Sequence, residues 1–280
     1  MVSRVEVAIE NRALLGEGPR WDAARSRLLW VDIERGELHV FDGEDHARQL
    51  GARVGAAAPT ESGAVLVALA DRLAFLDGEL RTAATFPHDA SIRTNDGACD
   101  PFGRFWIGTN ALDFAPHAGA LYRYDGVVLE RMLDGVTLSN GLGWSPNGER
   151  MYYIDSHTFR IDVLDFDGEI SNRRPFVTLD ERDGTPDGLA VDDEGGVWVA
   201  LYGGSAIRRY DSGGVLTETV ELPAENVTAC CFGGDDGRSL FITTAAPDGR
   251  VYVVDAGVAG PPAQPFRSTA PSDAEPTSER

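Results

Sequence analysis

The sequence predicts an all-β protein, a six-bladed β-propeller closed by its N-terminal strand. An aromatic or aliphatic residue followed by aspartate recurs six times at intervals of 35 to 48 residues, which is the length of a four-stranded propeller blade. No stretch longer than one or two turns has the 3.6-residue periodicity of a helix. The six repeats end at Asp42, Asp77, Asp125, Asp167, Asp211 and Asp255.

Each repeat contains two β-rich stretches separated by a tight turn. Turn residues occupy positions 100–103 (DPFG), 145–148 (SPNG) and 192–195 (DDEG), and such clusters between β-rich stretches predict hairpins. The second stretch carries one bulky residue that we expect to pack between neighbouring blades. These residues are Trp30, Val67, Trp106, Tyr153, Trp198 and Phe241.

The two ends of the chain have different predicted roles. Residues 4–10 alternate apolar and polar side chains but have no partner hairpin nearby, so we expect them to pair with the last blade and remove an open sheet edge. Residues 1–257 are the predicted propeller. Residues 258–280 are rich in Pro, Ala, Ser and Glu, a composition that predicts a largely flexible tail.

Composition limits the partners. The chain has 25 Arg and no Lys against 45 Asp and Glu, giving a net charge of −20. This charge repels nucleic acid and anionic membrane surfaces, and the lack of lysine excludes Schiff-base chemistry. Three cysteines, no apolar run of signal-peptide length at the N-terminus and no stretch as long as a membrane span predict a cytoplasmic protein.

One position of the repeat carries oxygen-bearing side chains. Glu17, Asp96, Asn140 and Asp187 each precede a glycine and lie 10 to 13 residues before the packing residue of their repeat. If the first strand of each blade lines the central channel, these side chains converge at one end of it. Carboxylates brought together in this way repel one another unless a cation lies between them. Oxygen ligands favour calcium, magnesium or manganese, and zinc is also compatible.

A backbone explanation competes with this site. Asp-Gly and Asn-Gly pairs are common in turns for conformational reasons alone. Glu17 does not fit that explanation, because glutamate is not a turn former. Other chemistries find little support: the five histidines lack metal-ligand spacing, there is no G-x-S-x-G motif, and the adjacent Cys230 and Cys231 lie in an apolar stretch that predicts packing.

The same segments resemble a known family, the one that contains gluconolactonase, the senescence marker protein regucalcin and the luciferin-regenerating enzyme. The resemblance runs from about residue 14 to 255. It is carried by long motifs, among them GEGPRWD, RTNDGACDPFGRFWIGT, SNGLGWSPNGERMYYIDS and PDGLAVDDEGGVWVALYGG.

The resemblance implies a six-bladed propeller with one divalent metal ion at the mouth of the channel. By this resemblance the ligands are Glu17, Asn140 and Asp187, and Asp187 also acts as the acid/base. Arg93 and Asn95 match positions that contact a sugar-lactone substrate.

One departure from the family pattern affects the substrate. Regucalcin-like members carry a sugar-contacting glutamate shortly before the G-[SA]-L-Y segment, where this chain has Ala115 and Pro116. Asp113 or His117 are the residues nearby that offer a substitute contact. Asp96, beside Asn95 in sequence, is expected to support the site from behind. We therefore expect a smaller or differently hydroxylated substrate than glucono-δ-lactone, such as a pentonolactone.

The sequence thus predicts a metal-dependent hydrolase that opens an aldonolactone. Its predicted partner is a small sugar lactone, with no nucleic acid and no membrane. Two alternatives remain open at this stage. One is a phosphotriesterase of the same fold, since the same metal can polarise a phosphoryl oxygen, and the other is a non-enzymatic calcium-binding propeller.

Overall fold

A computed structural model describes residues 4–268 as 24 β-strands in six four-stranded antiparallel sheets. The first strand, β1, is Glu6–Ile9. Blade one contains β2 to β5, which are Gly16–Asp22, Arg27–Asp32, Glu37–Phe41 and Asp45–Gln49. Blade two contains β6 to β9, which are Val54–Pro59, Val65–Leu69, Arg72–Asp77 and Glu79–Thr85. Blade three contains β10 to β13, which are Ile92–Cys99, Phe105–Ala111, Gly119–Tyr124 and Leu129–Val136.

The second half of the ring repeats this order. Blade four contains β14 to β17, which are Ser139–Trp144, Arg150–Asp155, Arg160–Phe166 and Ile170–Thr178. Blade five contains β18 to β21, which are Thr185–Val191, Val197–Tyr202, Ala206–Tyr210 and Leu216–Glu221. Blade six contains β22 to β24, which are Val227–Gly233, Ser239–Thr244 and Val251–Asp255, together with β1.

Helical structure in residues 4–268 is confined to three 3-10 turns, at Ala23–Arg25, Ser156–Thr158 and Glu181–Asp183. No helix in this part of the chain is long and apolar enough to cross a membrane. The predicted all-β, six-bladed fold is confirmed.

The ring closes as predicted, with the N-terminal strand completing the last blade. Strand β1 pairs antiparallel with β24, with Glu6 opposite Val253 and Ile9 opposite Val251. The first strands of neighbouring blades, β2, β6, β10, β14, β18 and β22, contact one another around the ring. They therefore form the innermost layer, and the start of each of these strands lies at the same end of the channel.

The predicted packing residues lie in the cores between blades. Five of the six are fully buried and Phe241 is nearly so. Two of the tryptophans also connect to the turns that precede them: Trp106 Nε1 donates to Asp100 Oδ2 at 2.9 Å, and Trp198 Nε1 donates to Asp192 Oδ2 at 2.8 Å. The aspartates of the DPFG and DDEG turns thus accept hydrogen bonds both from backbone amides of the turn and from the buried indole. These bonds fix the position of each hairpin in its blade.

The first residues of the segment predicted to be a largely flexible tail make contacts with the ring. Residues 258–268 cross the end of the ring opposite the start of the inner strands, and Phe266 is buried against Phe75 and Tyr124. The backbone amide of Phe266 donates to Pro59 O at 2.7 Å, and that of Ala263 donates to Trp21 O at 3.2 Å. One large aromatic side chain and these backbone bonds fasten a segment whose average composition is that of a flexible chain. Residues 269–280 lie outside the described residues.

Candidate active site

Irregular pairing at the start of the inner strands brings the polar repeat residues into the channel. The pairing register of β2 with β3 shifts directly after Glu17. The register of β14 with β15 shifts between Ser139 and Leu142, the interval that contains Asn140. Strand β18 shifts on β19 in the same way around Asp187. A β-bulge places an extra residue in one strand and redirects its side chain. The polar side chains therefore point towards the channel rather than into the cores between blades.

The glycines after Asn140 and Asp187 allow close packing between the inner strands of adjacent blades. A Cβ on Gly141 would lie 2.7 Å from the carbonyl oxygen of Asp187, and one on Gly188 would lie 2.5 Å from the Cβ of Ala229. The inner strands of adjacent blades approach so closely here that no side chain fits. The Asn-Gly and Asp-Gly pairs of β14 and β18 are therefore strand features, and the turn explanation does not apply to them.

A cavity of about 320 Å³ opens at this end of the channel. Its polar part contains all five residues that the sequence proposed as ligands or substrate contacts, Glu17, Arg93, Asn95, Asn140 and Asp187. All five are buried. They come from blades one, three, four and five, so only the closed ring brings them together.

Seven further lining residues were not proposed from the sequence. They lie mainly on the connections between strands, whose lengths differ from blade to blade and which therefore do not align between repeats. One signal was available, since Ser156 and His157 directly follow the second strand of the SNGLGW repeat. The seven are Leu15, Phe114, Leu138, Ser156, His157, Thr185 and Tyr202.

Buried like charges dominate the electrostatics of the cavity. The pKa of Glu17 is raised from 4.5 to about 8, mainly by burial and then by the charge of Asp96. Burial and the charges of Glu17 and Asp96 also raise the pKa of Asp187 well above its usual value, while the neighbouring Asn140 amide and Arg93 act in the opposite direction. These carboxyl groups therefore resist ionising together, and a cation between them would favour their charged forms.

Asp96 lies behind the cavity rather than in its lining. Arg20 Nη2 donates to Asp96 Oδ1 at 3.0 Å and to Gly97 O at 2.8 Å. The backbone amide of Gly97 also donates to Asp96 Oδ1, at 2.7 Å. Burial raises the pKa of Asp96, and Arg20 counteracts that rise. Asp96 thus affects the cavity through its charge, in agreement with the supporting position expected for it.

Arg93 is held by its neighbours in the chain. Its Nη1 donates to Asn95 Oδ1 at 2.7 Å and to Thr94 O at 2.9 Å. Burial lowers the pKa of the Arg93 guanidinium, and the nearby carboxylates of Glu34 and Glu17 oppose that shift. The guanidinium is the positive group of the cavity lining, and it is suited to bind substrate hydroxyl or carbonyl oxygens.

The donor set fits a divalent cation with oxygen ligands. Asp187 Oδ1 is buried and has no hydrogen-bond partner, a costly arrangement that a cation would relieve. Glu17 and Asn140 supply a second carboxylate and an amide oxygen in the same cavity. No three His, Cys, Asp or Glu side chains cluster as potential ligands within residues 4–268, so a cation here would need the amide of Asn140.

Comparison with known proteins identifies the family. Residues 15–246 match the SMP-30/Gluconolactonase/LRE-like region. The chain belongs to this family. A Bacillus subtilis protein named "Putative sugar lactone lactonase YvrE" is 38% identical over 249 residues, covering 84% of this chain and 85% of the relative. Regucalcin of Danio rerio is 38% identical over 256 residues, with 86% of both chains covered.

A solved structure of this SMP-30/gluconolactonase family has the same fold. The calcium-binding protein regucalcin of Agrobacterium tumefaciens superimposes with a TM-score of 0.90 at 27% identity, covering 93% of this chain and 96% of that chain. The likeness extends over the whole propeller, so the family resemblance predicted from the sequence motifs is confirmed.

The connection between β11 and β12 presents an aromatic ring to the cavity. Phe114 lines the cavity with its backbone in the left-handed region at φ 55°, and its ring lies 6.1 Å from that of His157. Neither suggested substitute lines the cavity: Asp113 Oδ1 accepts from Ala115 N at 3.0 Å, and His117 Nδ1 donates to Gly135 O at 2.9 Å.

Proposed function

We propose that this protein is a metal-dependent lactonase that hydrolyses the ring ester of an aldonolactone to the sugar acid. The observation that carries the proposal is the convergence of Glu17, Arg93, Asn95, Asn140 and Asp187 in one buried cavity. Its volume, about 320 Å³, lies at the small end of ligand sites, which suits a monosaccharide-sized substrate. The name of the Bacillus subtilis relative supports the substrate class, and the calcium-binding Agrobacterium protein supports the cation.

In this proposal Glu17, Asn140 and Asp187 hold the cation. When bound, a divalent cation supplies a Lewis acid that polarises the lactone carbonyl and stabilises its developing negative charge. Two carboxylates against a double positive charge leave the centre about neutral. An adjacent positive charge also favours the ionised form of Asp187, which is the form that a general base requires.

The chain's own residues would then move the proton and orient the substrate. Asp187 takes a proton from the water molecule as its oxygen bonds to the carbonyl carbon. When the ring C–O bond breaks, Asp187 returns that proton to the departing ring oxygen, so the products are the hydroxy acid and the unchanged carboxylate. Arg93 and Asn95 hold the sugar hydroxyls so that the carbonyl faces Asp187.

Phe114, at the aromatic rim of the cavity, limits the choice of proposed substrate. Phe114 lines the same cavity as Arg93 and Asn95, the residues proposed to bind the sugar. A glutamate there would accept a hydroxyl hydrogen bond, whereas a phenyl ring offers only apolar contact. We therefore propose a lactone with fewer exocyclic hydroxyls than glucono-δ-lactone, such as a pentonolactone.

A lactone panel with defined metal content tests the proposal. Chelator-stripped protein is assayed with a pH indicator on pentono- and hexonolactones and on one phosphotriester, alone and after addition of manganese, zinc, calcium or magnesium. We expect lactone turnover that is lost on stripping and restored to different degrees by the four ions. Full activity of the stripped protein would contradict the metal dependence. Turnover of the phosphotriester alone would favour the phosphotriesterase alternative, and calcium binding without turnover would favour a binding protein.

A further inference from the structure

A continuous line of side-chain hydrogen bonds runs along the wall of the cavity. Arg93 Nη1 donates to Asn95 Oδ1 at 2.7 Å, and Asn95 Nδ2 donates to Asn140 Oδ1 at 3.1 Å. Asn140 Nδ2 donates to Ser156 Oγ at 2.9 Å. All four residues are buried and line the cavity. Ser156 is the one member that neither the repeat position nor the family resemblance singled out.

The chemistry of the two fixed groups determines which way each amide points. A guanidinium can only donate hydrogen bonds, so Asn95 must turn its oxygen towards Arg93. A backbone carbonyl can only accept, and Asn95 Nδ2 also donates to Ser139 O at 2.9 Å, which requires the same orientation. Asn140 then has to face Asn95 with its oxygen, and its NH₂ group is left to donate to the hydroxyl of Ser156.

This orientation matters because Asn140 is the one neutral ligand in the proposed cation site. A carboxylate presents an oxygen in either orientation, but a flipped amide would direct its NH₂ group towards the cation and bind it poorly. In the observed orientation the amide oxygen accepts one hydrogen bond from Asn95 and keeps a second lone pair. The orientation of Asn140 is therefore a requirement for binding that Glu17 and Asp187 do not share.

Ser156 is rigidly placed for this contact. It follows β15 and begins the 3-10 turn Ser156–Thr158. Its backbone amide donates to Leu138 O at 3.1 Å, two residues before Asn140. Asp155, the residue before Ser156, also bonds to Leu138: its carboxylate accepts from the amide of Leu138 at 3.0 Å. These hydrogen bonds join the turn after β15 to the residue before β14, and they hold the Ser156 hydroxyl beside the Asn140 amide.

We propose that Ser156 is a positioning residue: Arg93, acting through Asn95, sets the orientation of the Asn140 amide, and Ser156 holds the NH₂ end of that amide in place, so that its oxygen can bind a divalent cation. The proposal rests on the metal-dependent function put forward above. It assigns Ser156 an effect on cation affinity that depends on Asn140 being an amide. A merely structural hydroxyl would have an effect that is independent of the residue at position 140.

The test is a double-mutant cycle on Mn²⁺ affinity. Ser156→Ala removes the acceptor, and we expect the Kd for Mn²⁺ to rise about 10- to 100-fold, as is typical for groups that orient metal ligands. In Asn140→Asp protein both side-chain oxygens can bind, so adding Ser156→Ala should change the Kd by less than about threefold, within the range expected for uncoupled changes. Titration calorimetry of the full-length, chelator-stripped protein measures all four values.

A matched control and a conservative variant complete the experiment. Thr158→Val removes a hydroxyl from the same turn, where it donates to Asp155 O at 2.7 Å without touching Asn140, and should leave the Kd unchanged. Ser156→Cys, which keeps a weak acceptor of similar size, replaces Ser156→Ala if that variant does not fold, as judged by circular dichroism, and should weaken binding in the same direction.

The outcomes separate this proposal from the function on which it rests. Failure of the wild-type protein to bind Mn²⁺ would overturn the metal-dependent function and this inference with it. Normal wild-type binding with a Ser156→Ala Kd within about threefold of it, below the range for orienting groups, would overturn the inference alone. An equal loss of affinity in the wild-type and Asn140→Asp backgrounds would likewise overturn it, because the role of Ser156 would then be structural.

Discussion

Replacing Asp187 by Asn separates the proposed base from the proposed ligand. The substitution keeps an oxygen in the cavity but removes the basic lone pair and one negative charge. Asp187 is 7% exposed, and the other carboxylate of the cavity, Glu17, accepts from the amide of Gly18 at 3.0 Å and is assigned to the cation in the proposed site. We expect hydrolysis to fall by the ~10²–10⁴-fold attributed to a general base, equivalent to about 3 to 5 kcal/mol of barrier.

The assay is lactone hydrolysis followed with a pH indicator at saturating Mn²⁺, with Asn140→Asp as the matched variant. Asn140→Asp adds a carboxylate, so it should bind metal at least as tightly but lower activity by weakening the Lewis acid. Asp187→Asn activity within about threefold of wild type, well below the general-base range, would refute the reasoning. In that case His157, which also lines the cavity, becomes the base to test by His157→Gln.

Three further predictions concern the cation, the rim and the tail. Mn²⁺ at about 100 times its Kd should stabilise the stripped protein by about 3 kcal/mol, raising Tm by roughly 5 °C, and an unchanged Tm in a thermal-shift measurement would contradict a single tight site. Phe114→Ala should reduce any preference for pentono- over hexonolactones about tenfold in kcat/KM, while the exposed neighbour Leu112→Ala should leave it unchanged. Phe266→Ala should cost about 3 to 5 kcal/mol in urea unfolding, whereas deleting the chain after Ser268 should cost nothing measurable.

Much of the candidate site could be predicted because its residues recur at one position of the sequence repeat. Glu17, Asn140 and Asp187 stand at one repeat position, and a fold with equivalent blades brings equivalent positions to one end of the channel. Asp96 shows the limit of that reasoning. It occupies the same repeat position, yet an ion pair with Arg20, 76 residues away in the chain, holds it behind the cavity. The repeat predicts where a residue stands, but not whether another blade supplies it with a partner.

The tail shows a second limit, that of composition. Residues 258–280 have too few apolar residues on average to order themselves, and this average predicted mobility. Phe266 nevertheless enters a pocket formed by Phe75 and Tyr124, because a single aromatic side chain buries enough surface to fasten a short segment. Composition gives the average apolar content of a segment and does not show that a single residue, here Phe266, packs against the ring.

The sequence by itself determined the number of blades, the closing strand, the packing residues and the chemistry of the repeat position. These features depend on period, alternation and residue type, which are local properties of the chain. Only the tertiary structure decided which polar residues share the cavity, that Phe114 rather than Asp113 or His117 faces it, and which way the Asn140 amide points. Those features depend on contacts between blades. The chain within one blade carries no information about the partner that the next blade will supply.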